Sequence, residues 1–169
     1  MNTTTATYNL PEPSATRRWG EKLATALGKC HHFITEGTII YLSGTLGSGK
    51  TTIVQGLFHS LGVSDTISSP TFSLVHTYDT GSIKAFHVDL YRLSNPLATS
   101  ILDLDTYHRK PQHIVAIEWP ENGVPLIPPA DIEINMEDHE EGRILTMSVK
   151  NRSLEEIFLE LSNNYNWNQ

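Results

Sequence analysis

A chain of 169 residues with 38% apolar and 18% charged residues can bury the core of one α/β domain, which excludes a disordered polymer. The formal charge of −7, with six Arg and six Lys scattered along the chain, argues against a protein that grips nucleic acid by itself, since a polyanion needs several cations on one face. Cys30 is the sole cysteine, so neither an intrachain disulfide nor a cysteine-based metal cluster is possible; the N-terminus does not read as a secretory signal, and no apolar run approaches the ~20 residues that span a bilayer. The cytoplasm is the expected compartment.

Residues 1–13 are expected to be a flexible start, with residues 1–10 polar and frayed. Pro11-Glu12-Pro13-Ser14 opens a helix with Ser14 as its expected N-cap, and Trp19, Leu23, Ala24 and Leu27 share one face of it. After Gly37, the unbroken apolar run from Thr38 to Leu42 predicts a strand covered on both faces. A glycine-rich turn leads into a second helix over 51–60, with Ile53, Val54 and Leu57 inward. Ser68-Ser69-Pro70 marks a loop; Phe72–Tyr78 and Ile83–Leu90, joined at Gly81-Ser82, predict an antiparallel hairpin. Asn95-Pro96 starts a helix over Leu97–Leu104. His113–Ile117, ending at Glu118, has the profile of a central parallel strand. Four prolines make 120–130 a loop, Ile132–Met136 and Arg143–Val149 a closing strand pair, and Ser153–Leu161 a last helix. A single domain over 14–161, followed by a polar tail at 162–169, is the expected organisation. The expected fold is a P-loop NTPase-like three-layer α/β/α arrangement, its mixed and mostly parallel sheet flanked by helices.

Gly44-Thr45-Leu46-Gly47-Ser48-Gly49-Lys50-Thr51 matches the Walker A pattern in full, between a buried strand and an amphipathic helix. The glycines let successive backbone N–H groups turn inward around phosphate oxygens, and the helix N-terminus adds partial positive charge. Lys50 is then expected at the β- and γ-phosphates, and the Thr51 hydroxyl on Mg²⁺, so the expected cofactors are ATP and Mg²⁺.

Such a loop needs a carboxylate at a neighbouring strand end. Glu118 has the better position, as a metal ligand or water-orienting base, against the plainer reading of a solvated carboxylate. Asp89 fits either a place beside the γ-phosphate or an ion pair with Arg92. His87, two residues earlier, reads either as structural or as part of the site. Thr71, in Ser69-Pro70-Thr71, is a γ-phosphate sensor or part of a plain turn, and Trp119 packs near the nucleotide or simply fills space. Without a His-x-x-x-His helix or a cysteine partner, a zinc site is not expected.

Taken in order, Thr16-x-x-x-Gly20-x-x-Leu23-Ala24, Leu46-Gly47-Ser48-Gly49-Lys50-Thr51-Thr52 with Gln55-Gly56, Ser69-Pro70-Thr71-Phe72, His87-Val88-Asp89-Leu90-Tyr91-Arg92 and Glu118-Trp119-Pro120-Glu121 resemble the bacterial TsaE (YjeE) family over roughly residues 14–149. The resemblance implies an ATPase of the threonylcarbamoyladenosine tRNA-modification system that works with TsaB and TsaD proteins and meets tRNA only through them. It also implies a nucleotide site over Leu46, Gly47, Ser48, Gly49, Lys50, Thr51 and Thr52, with Mg²⁺ on Thr51 and Glu118 and Asp89 as a Walker-B-like group. Thr16 and Arg143 are expected near the nucleotide. Thr45 departs from the family, which usually has Asp there, so fine tuning of the loop is what it puts in question.

The function so expected is a regulatory ATPase, slow alone, whose hydrolysis resets the modifying complex, with Lys50, Asp89 and Glu118 as its catalytic residues. A small-molecule kinase is the alternative, although only Arg109-Lys110 forms even a basic pair in the middle of the chain where a lid would sit. A GTP switch lacks the Asn-Lys-x-Asp motif, and a non-hydrolysing nucleotide-binding module remains open.

Overall fold

The computed structural model describes residues 3–102 and 110–163. Seven strands form one sheet: β1 (Thr4–Leu10), β2 (Thr38–Gly44), β3 (Val75–Asp79), β4 (Lys84–Asp89), β5 (His113–Glu118), β6 (Ile132–His139) and β7 (Gly142–Val149). Their order is β1-β7-β6-β2-β5-β4-β3. The central strands β6-β2-β5-β4 run parallel, and antiparallel β7, β1 and β3 complete the two sides.

β2 is buried on both sides as its unbroken apolar run requires. Ile40 and Leu42 join the core under α1 (Pro13–Lys29), α2 (His31–Glu36), α3 (Lys50–Ser60) and α4 (Glu156–Asn163). Ile39 and Tyr41 face the second core with Phe86, Val88, Leu90, Val115, Ile117 and Ile127. Among the described residues that second side is covered by the 3-10 turn Pro96–Leu102 and the proline loop 120–130. The turn occupies the start of the expected helix Leu97–Leu104; the end of that helix lies outside the described residues.

Thr4–Leu10 is not frayed. It pairs with β7 in register from Thr4 opposite Val149 to Leu10 opposite Arg143. Alternation explains it: Tyr8 and Leu10 turn into the core while threonines and Asn9 face outward, and β-branched Thr suits a pleated edge. Ser14 does not cap α1 either. Glu12 is the N-cap, without a side-chain capping bond, because Pro13 takes the first helical position and its fixed φ sets the start. The strand expected from Phe72 begins only at Val75, since Leu74 N–H bonds back to the Pro70 carbonyl at 2.8 Å and Leu74 adopts a positive φ of 65°. This curl keeps Ser69 and Thr71 beside the end of β4.

Candidate functional site

Strand ends create the site. β4 and β5 are adjacent and parallel, and their register sets Asp89 opposite Glu118. β2 lies on the other side of β5, so the loop 44–49 and the first turn of α3 sit above both carboxylates, at the carboxyl ends of the parallel strands. Gly49, the N-cap of α3, has φ of 102°, a conformation that favours glycine; a methyl added there would stand 3.3 Å from Thr16 Cγ2.

The resulting cleft, about 520 Å³, is lined by Leu46, Gly47, Gly49, Lys50, Thr51, Thr52, Asp89, Glu118 and Arg143, nine of the residues singled out from the sequence. Ser48 lies beneath the loop, fully buried, and its Oγ accepts a 3.5 Å bond from Lys50. Thr16 is likewise buried behind the loop on α1, and its hydroxyl has no hydrogen-bond partner among the described residues. Pro13, Ser69, Thr71, Tyr91, Arg92 and Trp119 complete the lining.

Lys50 folds back over its own loop. Its ammonium donates to the carbonyls of Gly44 at 2.7 Å and Thr45 at 2.9 Å, and stands 4.2 Å from the centre of a Trp119 ring. Burial pushes this lysine below its ordinary pKa, while Glu118, Glu121, Asp89 and Asp138 pull the other way. Glu118 is almost wholly buried; its Oε1 accepts from Thr51 Oγ1 at 2.8 Å and from His87 Nε2 at 2.7 Å. Asp89 accepts from the Ser69 hydroxyl and, at 2.9 Å, from the Tyr91 amide; Ser69 Oγ also lies 3.1 Å from Thr71 Oγ1. Asp89 is not paired with Arg92, whose guanidinium rests 4.4 Å over the Phe72 ring. Trp119 itself has a positive φ of 58° and packs on Tyr91 with ring centres 4.9 Å apart.

The β6–β7 hairpin holds the loop from the other side. Arg143 donates to the Gly47 carbonyl at 2.9 Å, and Asp138 accepts from Thr45 Oγ1 at 3.1 Å. Thr45 therefore has a use here: an aspartate in its place would set a carboxylate against Asp138. Sequence reading did not find Asp138, because nothing local marks one acid near a turn as the partner of a loop 93 residues away. Within Ser69-Pro70-Thr71 the sequence points to Thr71, yet Ser69 is the residue that reaches Asp89.

A buried strand, a glycine-rich turn, and a lysine and a threonine beside paired carboxylates define a Walker-A-type α/β protein. The family model "Threonylcarbamoyl adenosine biosynthesis protein TsaE" matches residues 10–145, and the chain belongs to that family. It is 42% identical over 131 residues to the tRNA threonylcarbamoyladenosine biosynthesis protein TsaE of Synechocystis, covering 76% of this chain and 78% of that one. The protein of the same name from Haemophilus influenzae is 33% identical over 158 residues, 93% of this chain and 98% of its own. The crystal structure of YdiB from Bacillus subtilis has the same fold, with a TM-score of 0.72 over 96% of this chain and 95% of that one at 24% identity. No helix among the described residues is long and apolar enough to cross a membrane.

Proposed function

We propose that the chain binds Mg-ATP in this cleft and hydrolyses it as the accessory ATPase of tRNA threonylcarbamoyladenosine synthesis, acting with TsaB and TsaD proteins and meeting tRNA through them. The observation that carries the reading is the convergence of Lys50, Thr51, Asp89 and Glu118 on one cleft above the parallel strand ends. The donor set suits the cation: the Thr51 hydroxyl and Glu118 carboxylate are hard oxygen ligands only 2.8 Å apart, and Mg²⁺ takes one or two such groups besides phosphate and water.

Loop amides and the start of α3 receive the phosphate oxygens. Lys50 exchanges its bonds to the Gly44 and Thr45 carbonyls for the β- and γ-phosphates. Thr51 and Glu118 would hold Mg²⁺, which when bound neutralises charge on the transferring phosphoryl group. Asp89, fixed by Ser69 and the Tyr91 amide, orients the attacking water and takes its proton. Such a role in resetting the TsaB–TsaD complex fits a chain of net charge −7, because the partner supplies the surface for tRNA.

Phosphate release from Mg-ATP, measured for the chain alone and with TsaB and TsaD, tests the reading. Release is expected to be slow alone, to rise with the partners and to fall about 100-fold or more in Lys50→Ala, as when a preorganised charge-stabilising group is removed. ATP binding that survives in Lys50→Ala undiminished by calorimetry would overturn the site. Phosphate appearing on a metabolite instead of in solution would make the chain a kinase.

A further inference from the structure

His87 is a fully buried histidine with one polar contact among the described residues, the 2.7 Å bond from Nε2 to Glu118 Oε1. Its other ring nitrogen, Nδ1, has no hydrogen-bond partner there. A carboxylate only accepts, so Nε2 carries the proton in that bond. The strand register explains how the ring gets there. His87 stands opposite Ala116, and Glu118 comes two residues later on the same face of β5. The methyl of Ala116 leaves room for the imidazole to lie along the sheet toward Glu118, while the Phe58 ring of α3 closes over it edge-on at 6.2 Å. A histidine kept only to fill this space would be better replaced by an apolar ring, which would leave no buried nitrogen unpartnered.

Both donors to Glu118, Thr51 above and His87 behind, fall on the same oxygen, Oε1. A cation takes a lone pair of the Thr51 hydroxyl and leaves its O–H to donate, so Thr51 serves cation and carboxylate together, whereas His87, fully buried and outside the cleft lining, holds Glu118 from behind. We propose that His87 is a positioning residue for the cation site: its Nε2–H fixes the Glu118 carboxylate in place beside Thr51. The inference rests on the Mg-ATP reading above. It assigns to His87 the work that carboxylate-orienting partners do around metal ligands generally, where their loss weakens metal affinity by about 10–100-fold.

The test compares two amides in the full-length protein. Gln places its amide nitrogen where Nε2 stands; Asn is one carbon shorter and falls short of Glu118. Calorimetric ATP titrations over a Mg²⁺ series, with EDTA as the metal-free arm, give the half-saturating Mg²⁺. His87→Gln is expected to keep the wild-type value, and His87→Asn to raise it about 10–100-fold with metal-free ATP affinity unchanged. In a Glu118→Ala background His87→Asn should add nothing further. Equal Mg²⁺ requirements in wild type and His87→Asn, equal losses in both amides, or an undiminished effect without Glu118 would each overturn the proposal. If the wild-type chain shows no Mg²⁺-dependent ATP binding, the reading of the site falls and this proposal with it; if it does and the amides do not differ, only His87 is at fault.

Discussion

Tyr41 shows how one side chain on the far side of β2 is tied to the loop that carries Trp119. Its hydroxyl donates to the Pro128 carbonyl at 2.5 Å, which fastens the proline loop to the sheet. Burial, with Glu133 nearby, pushes its phenol up to about 12 from an ordinary value of 10. The unfolded chain therefore releases this proton from about pH 10, while the folded chain keeps it to about 12. Between those values the unfolded state binds fewer protons, so stability falls as pH rises, by roughly 3 kcal/mol across the two units. Tyr41→Phe loses the hydrogen bond, about 1 kcal/mol at neutral pH, but escapes that fall. Urea unfolding followed by circular dichroism should find the wild type more stable at pH 7 and the variant more stable near pH 12; a constant gap would exclude Tyr41 as the titrating group. At this scale Lys50, Thr51 and Glu118 were legible because each has a local signature: two positions in a fixed motif, and a carboxylate ending an apolar run. The partners that hold them were not. Ser69 reaching Asp89 and Asp138 reaching Thr45 depend on where distant strands come together, which no window of sequence records.

At the level of elements, the helix that begins at Lys50 is placed by two glycines. Where α1 and α3 cross, a methyl on Gly20 would come 2.4 Å from the Ile53 carbonyl oxygen, and one on Gly56 would come 2.1 Å from the Arg17 carbonyl oxygen. Both obstacles are backbone, so neither side can yield without moving a helix. Gly56→Ala gains about 1 kcal/mol of helix propensity, yet the forced separation should cost about 1–3 kcal/mol. A net loss in urea unfolding is expected, and because α3 carries Lys50 and Thr51 at its first turn, ATP affinity should weaken with it. A stabilised variant with unchanged affinity would show that the helices do not depend on this close approach. The periodic elements were readable for the same reason that they pack: α1 buries the Trp19, Leu23, Ala24 and Leu27 stripe, and β5 is a central parallel strand, as its apolar run predicts. β1 was missed because only Ala6, Tyr8 and Leu10 mark its inner face, and the intervening threonines read as low complexity until β7 supplies a register.

For the molecule as a whole, that missed strand decides how the sheet ends and how the loop is braced. β1 covers the edge of β7, and its last pair sets Leu10 opposite Arg143, the residue that donates to Gly47 in the glycine-rich loop. The chain from β1 then passes directly into α1, which carries Thr16 behind Gly49 and packs on α3. The N-terminal segment thus supports the candidate site from two directions. Removing residues 1–10 strips the buried Tyr8 and Leu10 from the core, at about 1.5–3 kcal/mol for an apolar side chain of that size, and deletes the hydrogen-bond ladder along β7. It also bares a strand edge able to pair with another chain. The truncated protein is expected to unfold at clearly lower urea, to scatter more light at rising concentration, and to bind Mg-ATP more weakly through a less constrained Arg143. If it instead matched the full chain in urea midpoint and ATP affinity, β1 would be an ornament on the sheet's edge, and Arg143 would be held by the β6–β7 hairpin alone.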